Sequence, residues 1–303
     1  MAEEDPFACF NNDDDDDEED DKVENDMPRR KRKNDCGVLA FHSGTEHCLL
    51  VHVQNELRRD MNRPKSPAVV LDAIDTFCME RHWMMHVGPQ KGQVLETFLM
   101  DCLTARTKVD NTITSQCRRQ RHRFILLELG TYCGYSSIRL ANLLTNHGIP
   151  FLLYTIEANP QHAAVATALI ELAGLQDHIS VLVLDIVRHQ TVVDLIQDKL
   201  VREMDWIDFL FLDHDKDAYL TDLILLEQSG WIRAGTYTAA DNVVFARIDS
   251  YRKYIQGLVD SGIVETKLVE GSIEYSGPEE ENAMDKEVFR DGIGKSMICM
   301  SMI

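Results

Sequence analysis

An apolar run, Phe124-Ile-Leu-Leu, leads into Glu128-Leu-Gly-Thr-Tyr-Cys-Gly-Tyr-Ser136 and then into a helix-like stretch from Ile138 to Leu144. Strand, glycine-bearing turn and helix N-terminus in that order form the unit with which a Rossmann-like sheet holds a nucleoside cofactor. The alternation then repeats. Strand-like runs at 124–130, 151–157, 179–185, 206–213 and 236–241 each end near an acid or a glycine. Helical runs at 136–146, 160–173, 191–202, 218–228 and 249–260 follow them. Five such units predict a parallel sheet with helices on both faces. Residues 263–275 and 295–302 depart from the pattern: both are strand-like, and only the acidic, loop-like 276–286 stands between them. They predict an antiparallel pair at the sheet edge. The expected class is α/β, a Rossmann-like seven-stranded sheet, mostly parallel.

Ahead of the sheet the periodicity is helical from Glu46 to Arg106, in three stretches. The first covers 47–59. Ser66 and Pro67 start the second as N-cap and first-turn proline, running to about Arg81, and the third follows Gly88-Pro89. Residues 107–123 read as a polar loop that ends in Arg118, Arg119, Arg121 and Arg123. Residues 1–37 read as a disordered tail, because the acidic run from Asn11 to Asp21 repels itself and offers nothing to bury. The expected organisation is thus a tail over 1–37 and one domain over 38–303, capped by helices at about 45–106.

The charge splits unevenly. Residues 1–33 carry 14 acids and 6 bases, and the remaining chain keeps a net charge of −12 out of −20. An acidic body disfavours nucleic acid, whose affinity comes from neutralising phosphates with Lys and Arg. The basic run Arg29–Lys33 reads either as a nuclear import signal or as a solvated partner of the acidic block. No window has the length of a membrane-spanning helix and no secretory signal pattern opens the chain, so a soluble, cytoplasmic protein is expected. Eight cysteines without a CxxC pair or Cys/His metal spacing predict reduced thiols.

Gly130 and Gly134 are separated by three bulky residues, which rules out the tight glycine cradle of a dinucleotide site. A cofactor made of an amino acid and a nucleoside, S-adenosylmethionine, fits the turn better. In a doubly wound sheet the site forms beyond the carboxyl ends of the strands. Glu157, at the end of the second strand, is placed to accept ribose hydroxyls, or else to cap the helix at Asn159-Pro160. Asp213 closes the fourth strand and Asp241-Asn242 the fifth. Two carboxylates and one amide are hard oxygen ligands for Mg2+ that leave positions for water and substrate. Lys216 beside such an ion would have its ammonium form disfavoured and could serve as a base.

Taken together, Leu71-Asp-Ala-Ile-Asp-Thr-Phe-Cys78, Trp83-Met-Met-His-Val-Gly-Pro-Gln-Lys-Gly92, Glu128–Ser136, Ala173-Gly-Leu-Gln-Asp177, Phe211-Leu-Asp-His-Asp-Lys-Asp217 and Ala240-Asp-Asn-Val243 resemble, in order, segments of the catechol O-methyltransferase family. The resemblance spans roughly residues 47–302. It implies the class I methyltransferase fold and methyl transfer from S-adenosyl-L-methionine to one hydroxyl of a Mg2+-chelated catechol. On that resemblance Asp213, Asp241 and Asn242 hold the metal, Lys216 takes the hydroxyl proton, and Glu274 holds the other hydroxyl. Trp83 walls the catechol ring, with Lys216, Asn242 and Glu274 also touching substrate. The cofactor would be surrounded by Met85, Val87, Glu128, Gly130, Tyr132, Tyr135, Ser136, Glu157, Ala158, Asp185, Ile186, Asp213 and His214.

Three departures bear on the acceptor and the base. Leu184, Asp185, Ile186 and Val187 replace the family's small polar adenine contacts, leaving Asp185 to accept from the adenine amino group. Asp215 stands where the family has an aromatic residue, and 243–247 lack its proline. An acid at the mouth would favour cationic catecholamines. Two other readings remain open: a related enzyme with a different phenolic or diol acceptor, and a cofactor-binding protein without turnover. Partners are expected to be small molecules, without nucleic acid or membrane, and the protein a monomer.

Overall fold

The computed structural model describes residues 44–59, 66–112, 123–200, 206–244, 246–271 and 291–298. The expectations for the tail, the basic run at 29–33 and Glu274 fall outside the described residues.

Seven strands form one sheet in the order β3-β2-β1-β4-β5-β7-β6. They are β1 (Phe124–Leu129), β2 (Phe151–Glu157), β3 (Ile179–Val183), β4 (Phe209–Leu212), β5 (Thr236–Ala240), β6 (Val264–Gly271) and β7 (Asp291–Ile298). The first five are parallel, and β7 runs antiparallel to both β5 and β6. The expected mostly parallel sheet with an edge pair is therefore what forms. β1 is buried at all six positions. A parallel sheet covered on both faces demands this, which is why such strands read as unbroken apolar runs.

Side chains alternate between the two faces. Ile125, Leu127 and Leu129 join one apolar layer with residues of α6 (Val192–Lys199), α7 (Tyr219–Gln228) and α8 (Asp249–Asp260). The intervening Leu126 and Glu128 face the other side, where α4 (Tyr135–Asn146) and α5 (Pro160–Leu172) lie. Three N-terminal helices cover this second layer: α1 (Thr45–Arg59), α2 (Pro67–Glu80) and α3 (Gly88–Thr112). α1 packs on α2 and α5, α2 on α4, and α3 on α4 and β5. Phe98 of α3 seats its ring 5.7 Å from Phe209 and 5.4 Å from Tyr237.

Two local expectations need correction. Helix α3 runs on to Thr112, so the first six residues of the predicted 107–123 loop are helical; Thr107 returns its hydroxyl to the Leu103 carbonyl at 2.8 Å, which lets a polar residue continue the helix. Ser66 does occupy the N-cap of α2 ahead of Pro67, but its side chain makes no capping bond. Its carbonyl alone starts the helix, accepting from Val70 at 3.2 Å. Four described cysteines, Cys48, Cys78, Cys102 and Cys133, are free thiols.

Candidate active site

The chain builds β1, β2 and β3 outward in one direction, then returns to place β4 on the other side of β1. The switch point lies between β1 and β4, and in sheets of this kind ligands bind there, beyond the strands' carboxyl ends. Gly130 follows β1 at this point with φ +97, and a Cβ there would stand 2.2 Å from the Asp213 carbonyl oxygen. Only glycine allows both the backbone angle and that approach. The turn continues through Tyr132, itself at φ 48, to Gly134, which precedes α4 at φ 81.

Glu128 is 1% exposed and faces α4. Its carboxylate accepts the hydroxyls of Ser136 and Ser137, and that of Thr155 on β2 at 2.7 Å. Burial pushes its carboxyl up to about 7, against the three hydroxyls that pull it down. Two strands and a helix start are thereby tied at one buried acid. Glu157 takes the amide of Tyr132 on Oε2 at 2.7 Å and that of Asn159 on Oε1 at 2.9 Å. The capping of α5 falls to Asn159, which accepts from Gln161. Ala158 is exposed beside it. Glu157 thus has both oxygens aimed by backbone donors, with lone pairs left for further hydroxyls.

After β3, Asp185 caps a 3-10 turn over Ile186–Arg188 by accepting from Arg188 at 3.1 Å. Ile186 is 58% and Val187 85% exposed. The loop between α2 and α3 carries half-buried Trp83, exposed Met85 and buried Val87. Within it His86 lies 5.2 Å from the Tyr132 ring and 5.5 Å from that of Tyr135, and burial drives its imidazole down to about 3. The two tyrosines of the turn therefore carry a neutral imidazole between the loop and α4. Tyr132 also donates its hydroxyl to Glu46 on α1 at 2.9 Å.

At the ends of β4 and β5 the charges are paired. Lys216 Nζ meets Asp213 Oδ1 at 2.8 Å, and Lys91 Nζ, from the first turn of α3, meets Asp241 Oδ2 at 2.7 Å and Asn242 Oδ1 at 3.1 Å. Burial raises the Asp213 carboxyl above the ordinary range, Lys216 opposes this, and the nearby charge of Asp241 adds to it. Lys216 also donates to the Tyr219 hydroxyl at 2.8 Å; that hydroxyl donates to the Leu212 carbonyl at 2.8 Å and lies 3.1 Å from that of Asp241. Tyr219 therefore clasps β4 to β5 immediately below the two aspartates. His214 stacks on Tyr219 with centroids 4.9 Å apart, and its Nε2 lies 2.9 Å from Asp222. Asp215 is exposed and caps the 3-10 turn Lys216–Ala218.

Asp213, Asp241 and Asn242 fit a hard divalent ion. Asp241 is 2% exposed, yet its Oδ1 has no hydrogen-bond partner among the described residues. Asn242 holds φ 60, a costly angle that asparagine tolerates better than other non-glycine residues. No group of three or more His, Cys, Asp or Glu side chains able to hold a metal occurs among the described residues, so an ion here would rely on the Asn242 amide beside the two carboxylates. Among the predicted site residues, the structure joins Glu128 to Ser136, Glu157 to the Tyr132 amide, and Lys216 to Asp213. Tyr135 is instead bonded to Asp75 and Arg139. Neither Lys91, within the Trp83–Gly92 segment, nor Tyr219, at the start of α7, is among the expected site residues.

Residues 123–248 match a family model described as O-methyltransferase. Catechol O-methyltransferase of Mus musculus is 36% identical over 212 residues, covering 70% of this chain and 68% of the relative. That of Bos taurus is 36% identical over 220 residues, covering 72% and 69%. The chain belongs to the catechol O-methyltransferase family. As a member it is an enzyme, an O-methyltransferase. The fold is also that of an O-methyltransferase from Bacillus cereus solved in complex with SAH, at TM-score 0.51 and 20% identity, over 84% of this chain and 99% of that one. No helix among the described residues is long and apolar enough to cross a membrane.

Proposed function

We propose that this family member methylates one hydroxyl of a catechol, using S-adenosylmethionine as donor and Mg2+ held by Asp213, Asp241 and Asn242. The observation that carries the reading is the convergence of those three oxygen donors beside Lys216, at the switch point next to the Gly130 turn. When bound, the ion would lower the pKa of a phenol and fix its oxygen.

The chain's own residues do the rest. The Gly130–Gly134 turn and the N-terminus of α4 receive the amino-acid part of the donor, and Glu157 accepts the ribose hydroxyls. Its two backbone donors hold the carboxylate in place for that task. Lys216 takes the proton of the attacking hydroxyl, with Tyr219 and Asp213 fixing where its Nζ stands. Trp83 walls the ring. Orientation of this kind supplies much of the rate for a displacement at a methyl carbon. Asp215, exposed at the mouth, selects cationic over anionic catechols.

The test is transfer of labelled methyl groups to a panel of catechols, with and without Mg2+, in wild type, Lys216→Ala and Asp241→Ala. Loss of transfer on chelation and in both folded variants is expected. Turnover that ignores the metal would sink the mechanism.

A further inference from the structure

Lys91 is placed against two local rules at once. It is 6% exposed, and it stands in the first turn of α3, where the helix dipole disfavours a cation. Its ammonium meets Asp241 Oδ2 and Asn242 Oδ1, residues that lie 150 and 151 positions away in the chain. A buried lysine held at that cost is expected to have a task.

We propose that Lys91 is a resident counter-cation that competes with a divalent ion for Asp241 and Asn242 and so keeps the affinity of this site low. The inference rests on the metal reading of Asp213, Asp241 and Asn242 given above. Each carboxylate already has its own ammonium, Lys216 on Asp213 at 2.8 Å and Lys91 on Asp241 at 2.7 Å. An entering ion therefore meets neutralised acids and two like charges at close range, in surroundings that screen poorly. Oδ1 of the buried Asp241 is open to it without displacing a bond, whereas Oδ2 and the Asn242 oxygen are held by Lys91. Such a site fills in proportion to free ion and exchanges readily, rather than retaining one metal permanently.

Removing the charge acts twice in the same direction. The repulsion disappears, and Asp241 is left as a buried acid that gains more from an ion than before. Mn2+ serves as the probe, with free ion read by electron paramagnetic resonance in the absence of donor and acceptor. Lys91→Met is expected to bind Mn2+ about ten-fold more tightly than wild type, or better. Lys91→Arg, which keeps the charge, should stay within about three-fold of wild type. Where Lys91→Met fails to fold, Lys91→Gln, which can still donate to Asp241, decides the same point. Unchanged or weaker binding in the folded neutral variant overturns the inference. Wild-type protein that binds no Mn2+ even with a catechol present overturns the metal reading itself, and the inference with it.

Discussion

Replacing Gly130 by alanine tests whether the turn after β1 and the acid after β4 form one mechanical unit. The added Cβ would lie 2.2 Å from the Asp213 carbonyl oxygen, 2.5 Å from its carbon and 2.8 Å from the His214 nitrogen. All three atoms are backbone, so no side chain can swing aside. Ordinary contact begins near 3.4 Å, and the strands must therefore part by about 1 Å. The bond from the Asp213 amide to the Leu129 carbonyl, 2.8 Å long, would be stretched beyond hydrogen-bonding range. Its loss costs about 1 kcal/mol, and alanine at φ +97 adds about 1–2 kcal/mol. A total of about 2–3 kcal/mol follows, read as a shift in urea denaturation. Because Asp213 moves with its backbone, kcat/KM should fall about 100-fold. Gly148→Ala is the control: it shares a positive φ, +64, but nothing lies within 4 Å of its Cβ. It should lose only the backbone part, about 1–2 kcal/mol, and keep its activity. Equal losses in the two variants, with activity intact in both, would refute the coupling.

Three further outcomes are expected. His86 keeps its imidazole at about 3 in the folded protein against 6.5 when unfolded, so it contributes stability above pH 6.5 that is lost as pH falls towards 3. That loss is about 2 kcal/mol between pH 6.5 and 5, and the acid limb of the stability profile should flatten in His86→Asn; an unchanged slope would count against it. Tyr219→Phe leaves the Leu212 and Asp241 carbonyls without their hydroxyl and should cost about 1–3 kcal/mol, with kcat reduced and donor affinity kept. A kcat equal to wild type would show that Lys216 does not depend on this clasp. Asp215→Trp should lower by a few-fold the preference for dopamine-like over dihydroxybenzoate-like acceptors, a modest effect because the acid is exposed. A ratio that does not move removes Asp215 from the choice of acceptor.

Much of this architecture was legible because its signals are local. β1 and β4 are buried at every position, so each reads as an unbroken apolar run, and amphipathic helices separate them. Glycines and acids at the run ends marked the crevice without any knowledge of strand order. What escaped depends on distance along the chain. Nothing near Lys91 in sequence announces a partner 150 residues away, and its helix-terminal position argues against a buried charge. Tyr219 reads as an ordinary core aromatic opening α7; only the adjacency of β4 and β5 turns its hydroxyl into a clasp. Glu128 has a part that sequence alone does not announce, since a carboxylate next to the Gly130 turn reads as a ligand contact only. Its oxygens also accept three hydroxyls of α4 and β2, which the alternation of β1 places on that face.

The backbone's strained positions point to the same end of the sheet. Among the described residues, the non-glycine positions with positive φ are Tyr132, His189, Asn242 and Arg247. Tyr132 follows β1, His189 follows β3, and Asn242 and Arg247 follow β5. Every one therefore lies beyond a strand's carboxyl end, and none lies in a described loop at the opposite edge. Each such angle costs of order 1–3 kcal/mol and persists only where its surroundings hold it. Loops that merely join strands to helices have no reason to retain that cost on one side alone. At Tyr132 the holding contact is Glu157, through the 2.7 Å bond to the amide; at Asn242 it is Lys91, through the side-chain oxygen. The group proposed to meet ribose and the one proposed to compete with the metal are thus the ones that hold the strained turns, so relaxing either turn should disturb ligand geometry before it disturbs the core.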